Sequence, residues 1–177
     1  MAHIIFLLDR SGSMDVCRDD TIEGYNMFVS SQKPNGGTMS LYLFDHELEC
    51  VYDTIPIESV PELTRETFEP RGGTALLDAM GEILKKNTSQ DTKMIILTDG
   101  EENSSGRYTN QHVKDLVEMR TKYSNWSFVY LGANQDVVLN ASRIGLSPCQ
   151  TVGYDSQRTP ELFRALSSSI HNLPPTI

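Results

Sequence analysis

Polar residues cut the apolar ones in this chain into short runs of two alternating kinds. "HIIFLL" (His3–Leu8), "KMIILTD" (Lys93–Asp99) and "WSFVYLG" (Trp126–Gly132) are near-continuous apolar stretches of strand length, the pattern of strands buried on both faces. "TMSLYLF" (Thr38–Phe44) and "ELECVYDTI" (Glu47–Ile55) alternate instead, and the short polar link between them predicts an antiparallel hairpin. Helical spacing separates these runs. Ile22, Tyr25 and Val29 share a face in Thr21–Gln32, with Asp19 or Asp20 as N-cap. Leu76, Met80, Ile83 and Leu84 do so in Ala75–Lys86, and Val113, Leu116 and Val117 in Asn110–Tyr123. Asp136–Gly145 reads as a helix closed by a glycine, followed by a short strand near Cys149–Val152 and a last helix over Pro160–Asn172. Strands alternating with helices predict an α/β fold: a doubly wound, mostly parallel central sheet with one antiparallel edge strand and helices on both faces. Residues 1–177 carry no linker, repeat or low-complexity block, so one domain is expected.

Composition narrows the partners. The 177 residues are 38% hydrophobic and 22% charged, enough apolar material for a core. A net charge of −9 suits neither phosphate backbones nor anionic lipid, so general nucleic-acid binding and membrane surfaces are not expected. Cys17, Cys50 and Cys149 form no CxxC pair, and the first residues do not read as a signal peptide; free thiols in a cytoplasmic setting are expected. His3, His46, His112 and His171 are far apart in sequence and lack zinc-ligand spacing.

The chemistry lies where apolar runs end. "FLLDRSGSM" passes from a buried strand into Asp9, Ser11 and Ser13, three hard oxygen donors within five residues. "IILTDG" ends another strand in Asp99, and "RGGTALLDA" leads through Gly72 and Gly73 to Thr74 at the mouth of a helix. Ligands of open α/β sheets bind outside the carboxyl ends of the strands, so parallel central strands would bring Asp9 and Asp99 to one rim. Taken singly, Ser11 and Ser13 suit a turn and Thr74 a helix N-cap.

Together the three segments resemble the von Willebrand factor A domain, in which D-x-S-x-S, a threonine after a glycine loop and a later aspartate form the metal-ion-dependent adhesion site (MIDAS). All five positions match, and Met14 with "TDGEEN" resembles the intracellular and prokaryotic stand-alone members. The resemblance implies a Mg2+ ion, with Mn2+ or Ca2+ as substitutes, held by Asp9, Ser11, Ser13, Thr74 and Asp99. Such a set brings only two negative charges to a 2+ ion, which leaves the ion attractive to a carboxylate from a partner. The implied function is a non-enzymatic protein-binding module: an adaptor that recruits an Asp or Glu of a partner, such as a separate AAA+ ATPase or another large assembly. The rim available to that partner would include Met14, Arg71, Gly72, Gly73, Glu101, Glu102, Asn134 and Gln135.

Two other classes compete. A Mg2+-dependent hydrolase of phosphate esters would use the same rim, but Ser11 and Ser13 would be engaged as ligands and no histidine is near them in sequence to act as base. Head-to-tail self-assembly would let one copy's rim bind an acid of the next. No phosphate-binding glycine motif occurs.

Overall fold

A computed structural model describes residues 3–133, 136–154 and 163–167. Its element order is β1 (His3–Asp9), α1 (Arg18–Gln32), β2 (Thr38–Phe44), β3 (Leu48–Pro56), α2 (Leu76–Lys86), β4 (Thr92–Thr98), α3 (Asn110–Ser124), β5 (Ser127–Ala133), α4 (Val137–Arg143) and β6 (Thr151–Tyr154). The six strands form one sheet in the order β3-β2-β1-β4-β5-β6. All neighbours are parallel except β2 and β3, which pair as the antiparallel hairpin the alternation predicts.

Burial explains why the central strands are apolar at every position. All seven residues of β1 are buried, because helices cover both faces of the sheet. Successive residues sort to opposite sides. Phe6 and Leu8 join Met39, Leu41, Ile95 and Leu131 under α1, where Tyr25 and Phe28 pack edge-on against Phe6. Ile5 and Leu7 join Phe44, Ile96 and Tyr130 under α2, α3 and α4. Residue 163 adds a further ring to the first core: Phe163 stacks on Phe6 and covers Gly24 of α1.

Several boundaries move from those predicted. The helix expected from Thr21 begins at Arg18, and a 3₁₀ turn over Gly12–Cys17 precedes it. Asp19 and Asp20 therefore sit in its first turn and Cys17 is the N-cap; acids there still favour the helix through its dipole. Cys149 and Gln150, predicted to open the last strand, lie in a 3₁₀ turn over Pro148–Gln150 fixed by a Ser147–Gln150 capping box, and β6 starts at Thr151. Asp136 caps α4 by accepting from the Leu139 amide at 3.0 Å. Of the last predicted helix, residues 163–167 are helical and the remainder lies outside the described residues. Cys17, Cys50 and Cys149 are all free thiols. Among the described residues, no helix is long and apolar enough to cross a membrane.

Candidate metal centre

Because β1 and β4 are parallel neighbours, the loops that follow them leave the same edge of the sheet. The third loop, 71–75, is drawn to the first by two backbone bonds: Gly12 N–H to the Gly72 carbonyl at 3.1 Å and Arg71 N–H to the Arg10 carbonyl at 2.8 Å. Gly72 has φ +66°, a conformation that favours glycine, and His46 packs directly over it where a Cβ would stand.

The side chains of these loops meet. Asp9 is fully buried; one carboxylate oxygen accepts from the Ser11 amide at 2.7 Å and the other from the Thr98 hydroxyl at 2.5 Å. The Ser11 and Ser13 hydroxyls are hydrogen-bonded at 3.1 Å, and Ser13 donates to Asp99 at 2.7 Å. Thr74 closes the group: a Cβ built on Gly100 would lie 3.0 Å from the Thr74 hydroxyl, 3.5 Å from that of Ser13 and 3.8 Å from that of Ser11. All five sequence-predicted donors thus gather at one rim, around a space that a glycine leaves open.

Thr74 is not the cap of α2. That position is Ala75, with no side-chain cap of its own. The orphan amides of the first turn are met from the loop after Asp99 instead: Leu77 N–H donates to Glu102 at 2.9 Å and Asp78 N–H to Ser105 at 3.0 Å. Asn103 clasps the Thr74 backbone, accepting from its amide at 2.9 Å while its own amide donates to the Thr74 carbonyl at 3.0 Å. Asp78 returns the tie by accepting from the amides of Gly106, Arg107 and Tyr108 at 2.9–3.0 Å. The Thr74 hydroxyl is left facing the rim.

The charges respond to this packing. Burial pushes Asp9 up to about 6, against the opposing bonds from Thr98 and Ser11. Asp99 is also raised by burial, with the Ser13 bond opposing. Two carboxylates held where their anions are disfavoured, among neutral hydroxyls, fit a hard divalent cation in donor chemistry and in placement.

The expected partner rim divides. Glu101 and Gly72 are exposed and Gly73 half-buried. Met14 is fully buried in the core under α1, because the 3₁₀ turn points it inward; it anchors the loop and is unavailable to a partner. Glu102 turns its carboxylate inward to the amides of Leu77, Ser104 and Ser105 and the Ser105 hydroxyl. Arg71 is half-exposed and bonded to Asp45 at 2.8 Å and Glu47 at 2.8 Å. Asn134 and Gln135 lie outside the described residues. Sequence reasoning missed Thr98, Asn103, Asp78 and the group around Asp45.

Asp45, His46 and Glu47 form another cluster of possible ligands, with their atoms within 4.8 Å of one another. Asp45 and Glu47 there already bind the guanidinium groups of Arg10 and Arg71. Two fixed cations make this a poor place for a third.

No protein-family model matches the chain, and no curated protein matches it in sequence. Solved structures share its fold. The von Willebrand factor domain of the type V pili tip protein Mfa5 from Porphyromonas gingivalis is 12% identical, with TM-score 0.71 over 99% of this chain and 97% of that one. Proximal thread matrix protein 1 from the mussel byssus, solved with a zinc-occupied MIDAS motif, is 14% identical, with TM-score 0.70 over 94% of this chain and 47% of that one. A von Willebrand factor type A protein from Catenulispora acidiphila is 18% identical, with TM-score 0.63 over 95% of this chain and 42% of that one. The chain spans less than half of the byssus and Catenulispora chains. It has the von Willebrand factor A fold.

Proposed function

We propose that this chain is a metal-dependent protein-binding module whose rim holds a divalent cation, Mg2+ in the cell, and recruits an Asp or Glu of a protein partner. The convergence of the Ser11, Ser13 and Thr74 hydroxyls around the space at Gly100, flanked by Asp9 and Asp99, carries the proposal. Ser11, Ser13 and Thr74 would be the direct ligands. Asp9, with both oxygens engaged by Ser11 and Thr98, would hold and orient them from behind. The bound ion supplies a Lewis-acid position that a partner carboxylate completes. The byssus protein's zinc-occupied motif and the pilus setting of Mfa5 support a divalent ion and protein contact as the theme. An adaptor role in the cytoplasm, serving a separate larger assembly, is part of the same proposal.

The same bonds support a non-enzymatic role. The Ser11 and Ser13 hydroxyls, tied to each other and to Asp99, would be occupied as ligands once an ion is held, and no histidine is bonded to either among the described residues. The test is capture on immobilised protein in Mg2+ followed by chelator elution. A partner released by EDTA and absent from Ser11→Ala supports the proposal; a partner that stays bound in EDTA and on Ser11→Ala refutes it. Metal-dependent phosphatase turnover lost in Ser11→Ala would transfer the site to an enzyme.

A further inference from the structure

Asp45 follows β2, outside every motif that marks the metal site, yet its carboxylate is fully buried between two arginines. One oxygen accepts from Arg10 Nε at 3.1 Å and from Arg71 Nε at 2.8 Å; the other accepts from the Glu47 amide at 2.8 Å and lies 3.1 Å from His46 Nδ1. Its backbone carbonyl takes the Ala75 amide at 2.8 Å. Arg10 stands between Asp9 and Ser11, Ala75 follows Thr74, and Arg71 opens the glycine loop. A single residue thus grips both loops within one position of three proposed donors. Each arginine has an outer anchor as well: Arg10 reaches Glu49 at 2.7 Å and Arg71 reaches Glu47 at 2.8 Å.

We infer that the Arg10–Asp45–Arg71 group is a positioning clamp that sets the separation between the Ser11/Ser13 loop and the Thr74 loop, and so tunes divalent-ion affinity; the inference rests on the metal-site reading. The loops need such a device. Beyond the two backbone bonds between them, Gly12, Gly72 and Gly73 give the loops no side chains with which to pack against each other, and a small hard cation tolerates little error in ligand spacing. Stability alone is a weak reason to bury this group, since ion pairs removed from water lose in desolvation much of what they gain in attraction. The Arg10 Nη2 atom is itself buried and has no hydrogen-bond partner among the described residues, a cost accepted at the residue that joins Asp9 to Ser11. Burial works to raise Asp45, but the bonds from Arg71 and the Glu47 amide and the charges of both arginines outweigh it and hold the carboxyl below its ordinary value. Both guanidinium groups are already bonded to acids of the group, so its effect on a metal is transmitted through the loops.

The probe is Mn2+ alone, titrated into wild type, Arg71→Gln, Arg71→Lys and Asp45→Asn, with melting in EDTA and amide exchange at Gly12, Gly72 and Thr74 measured in parallel. Arg71 is half-exposed, so Arg71→Gln should fold. It should bind Mn2+ about tenfold more weakly, the scale seen for outer partners of metal ligands, while its EDTA melting temperature stays close to wild type. Arg71→Lys should recover part of the affinity, and Asp45→Asn should lose more than either. Wild-type Mn2+ affinity in Arg71→Gln overturns the clamp, whatever happens to its melting temperature. If wild type itself takes up no Mn2+, the metal-site reading fails instead; faster amide exchange in Arg71→Gln would then still show the clamp, and unchanged exchange would remove it too.

Discussion

The two ends of β1 are built from similar ingredients and behave in opposite ways. At its start, His3 is buried between the Thr38 hydroxyl at 2.8 Å and that of Ser40 at 3.3 Å. Ser40 donates to Asp53 at 2.8 Å and accepts from the Thr54 amide at 2.8 Å, and Thr54 adds a second bond to Asp53 at 3.0 Å. Burial works against the Asp53 anion, but those hydroxyls, Lys86 and His3 outweigh it and hold the carboxyl below its ordinary value. At the far end, Asp9 and Asp99 also meet hydroxyls, yet both are raised. No arginine or lysine is bonded to either, among the described residues. One end has balanced its own charge. The other has left it to something from outside, and the sign of the carboxylate shift separates them.

Removing an acid from the open end should cost metal binding, and removing Asp78 or Asp53, which hold no loop of the metal site through an arginine, should cost stability. Asp99→Ala should weaken Mn2+ binding by at least ~100-fold in a direct titration while leaving the melting temperature in EDTA unlowered. Asp78→Ala should do the reverse. It strands three amides of the loop that braces Thr74, and chemical denaturation should show a loss of about 2–4 kcal/mol.

Acidity sharpens the contrast. Asp9 moves from the ordinary 3.8 to about 6 on folding. Its folded value exceeds its unfolded one, so the stability it contributes to the metal-free protein is present at low pH and lost as pH climbs towards 6. The Asp9 anion behind the ligands attracts a divalent ion, and a proton on Asp9 removes that attraction. At pH 5 the proton wins by about ten to one, and Mg2+ or Mn2+ affinity should fall about tenfold between pH 7.5 and pH 5. The smallest effect belongs to Asp53→Asn, which should cost about 1 kcal/mol of stability and leave metal affinity at the wild-type level. A matching fall in affinity there would erase the distinction between the two ends.

The fold was legible because burial on two faces writes itself locally: β1, β4 and β5 are apolar at nearly every position, and the hairpin alternates. Asp9, Ser11 and Ser13 could be seen because they stand together after such a strand, and Thr74 and Asp99 because each ends a recognisable segment. What escaped depends on pairings with no local signature. Arg10 and Asp45 are 35 residues apart, and Arg71 and Asp45 are 26 apart. Glu102 has the sequence of a solvated acid, but accepts from the Leu77 amide in the first turn of a helix, 25 residues earlier. Met14 sits among turn residues, and only the 3₁₀ turn that forms there carries it into the core.

Anomalous scattering from crystals grown in Mn2+ tests the central claim most directly, because it locates the ion without reference to affinity. The account predicts one strong peak per chain, roughly 2 Å from the hydroxyls of Ser11, Ser13 and Thr74. A peak beside Asp45, His46 and Glu47 instead, or no peak at the rim, would contradict it.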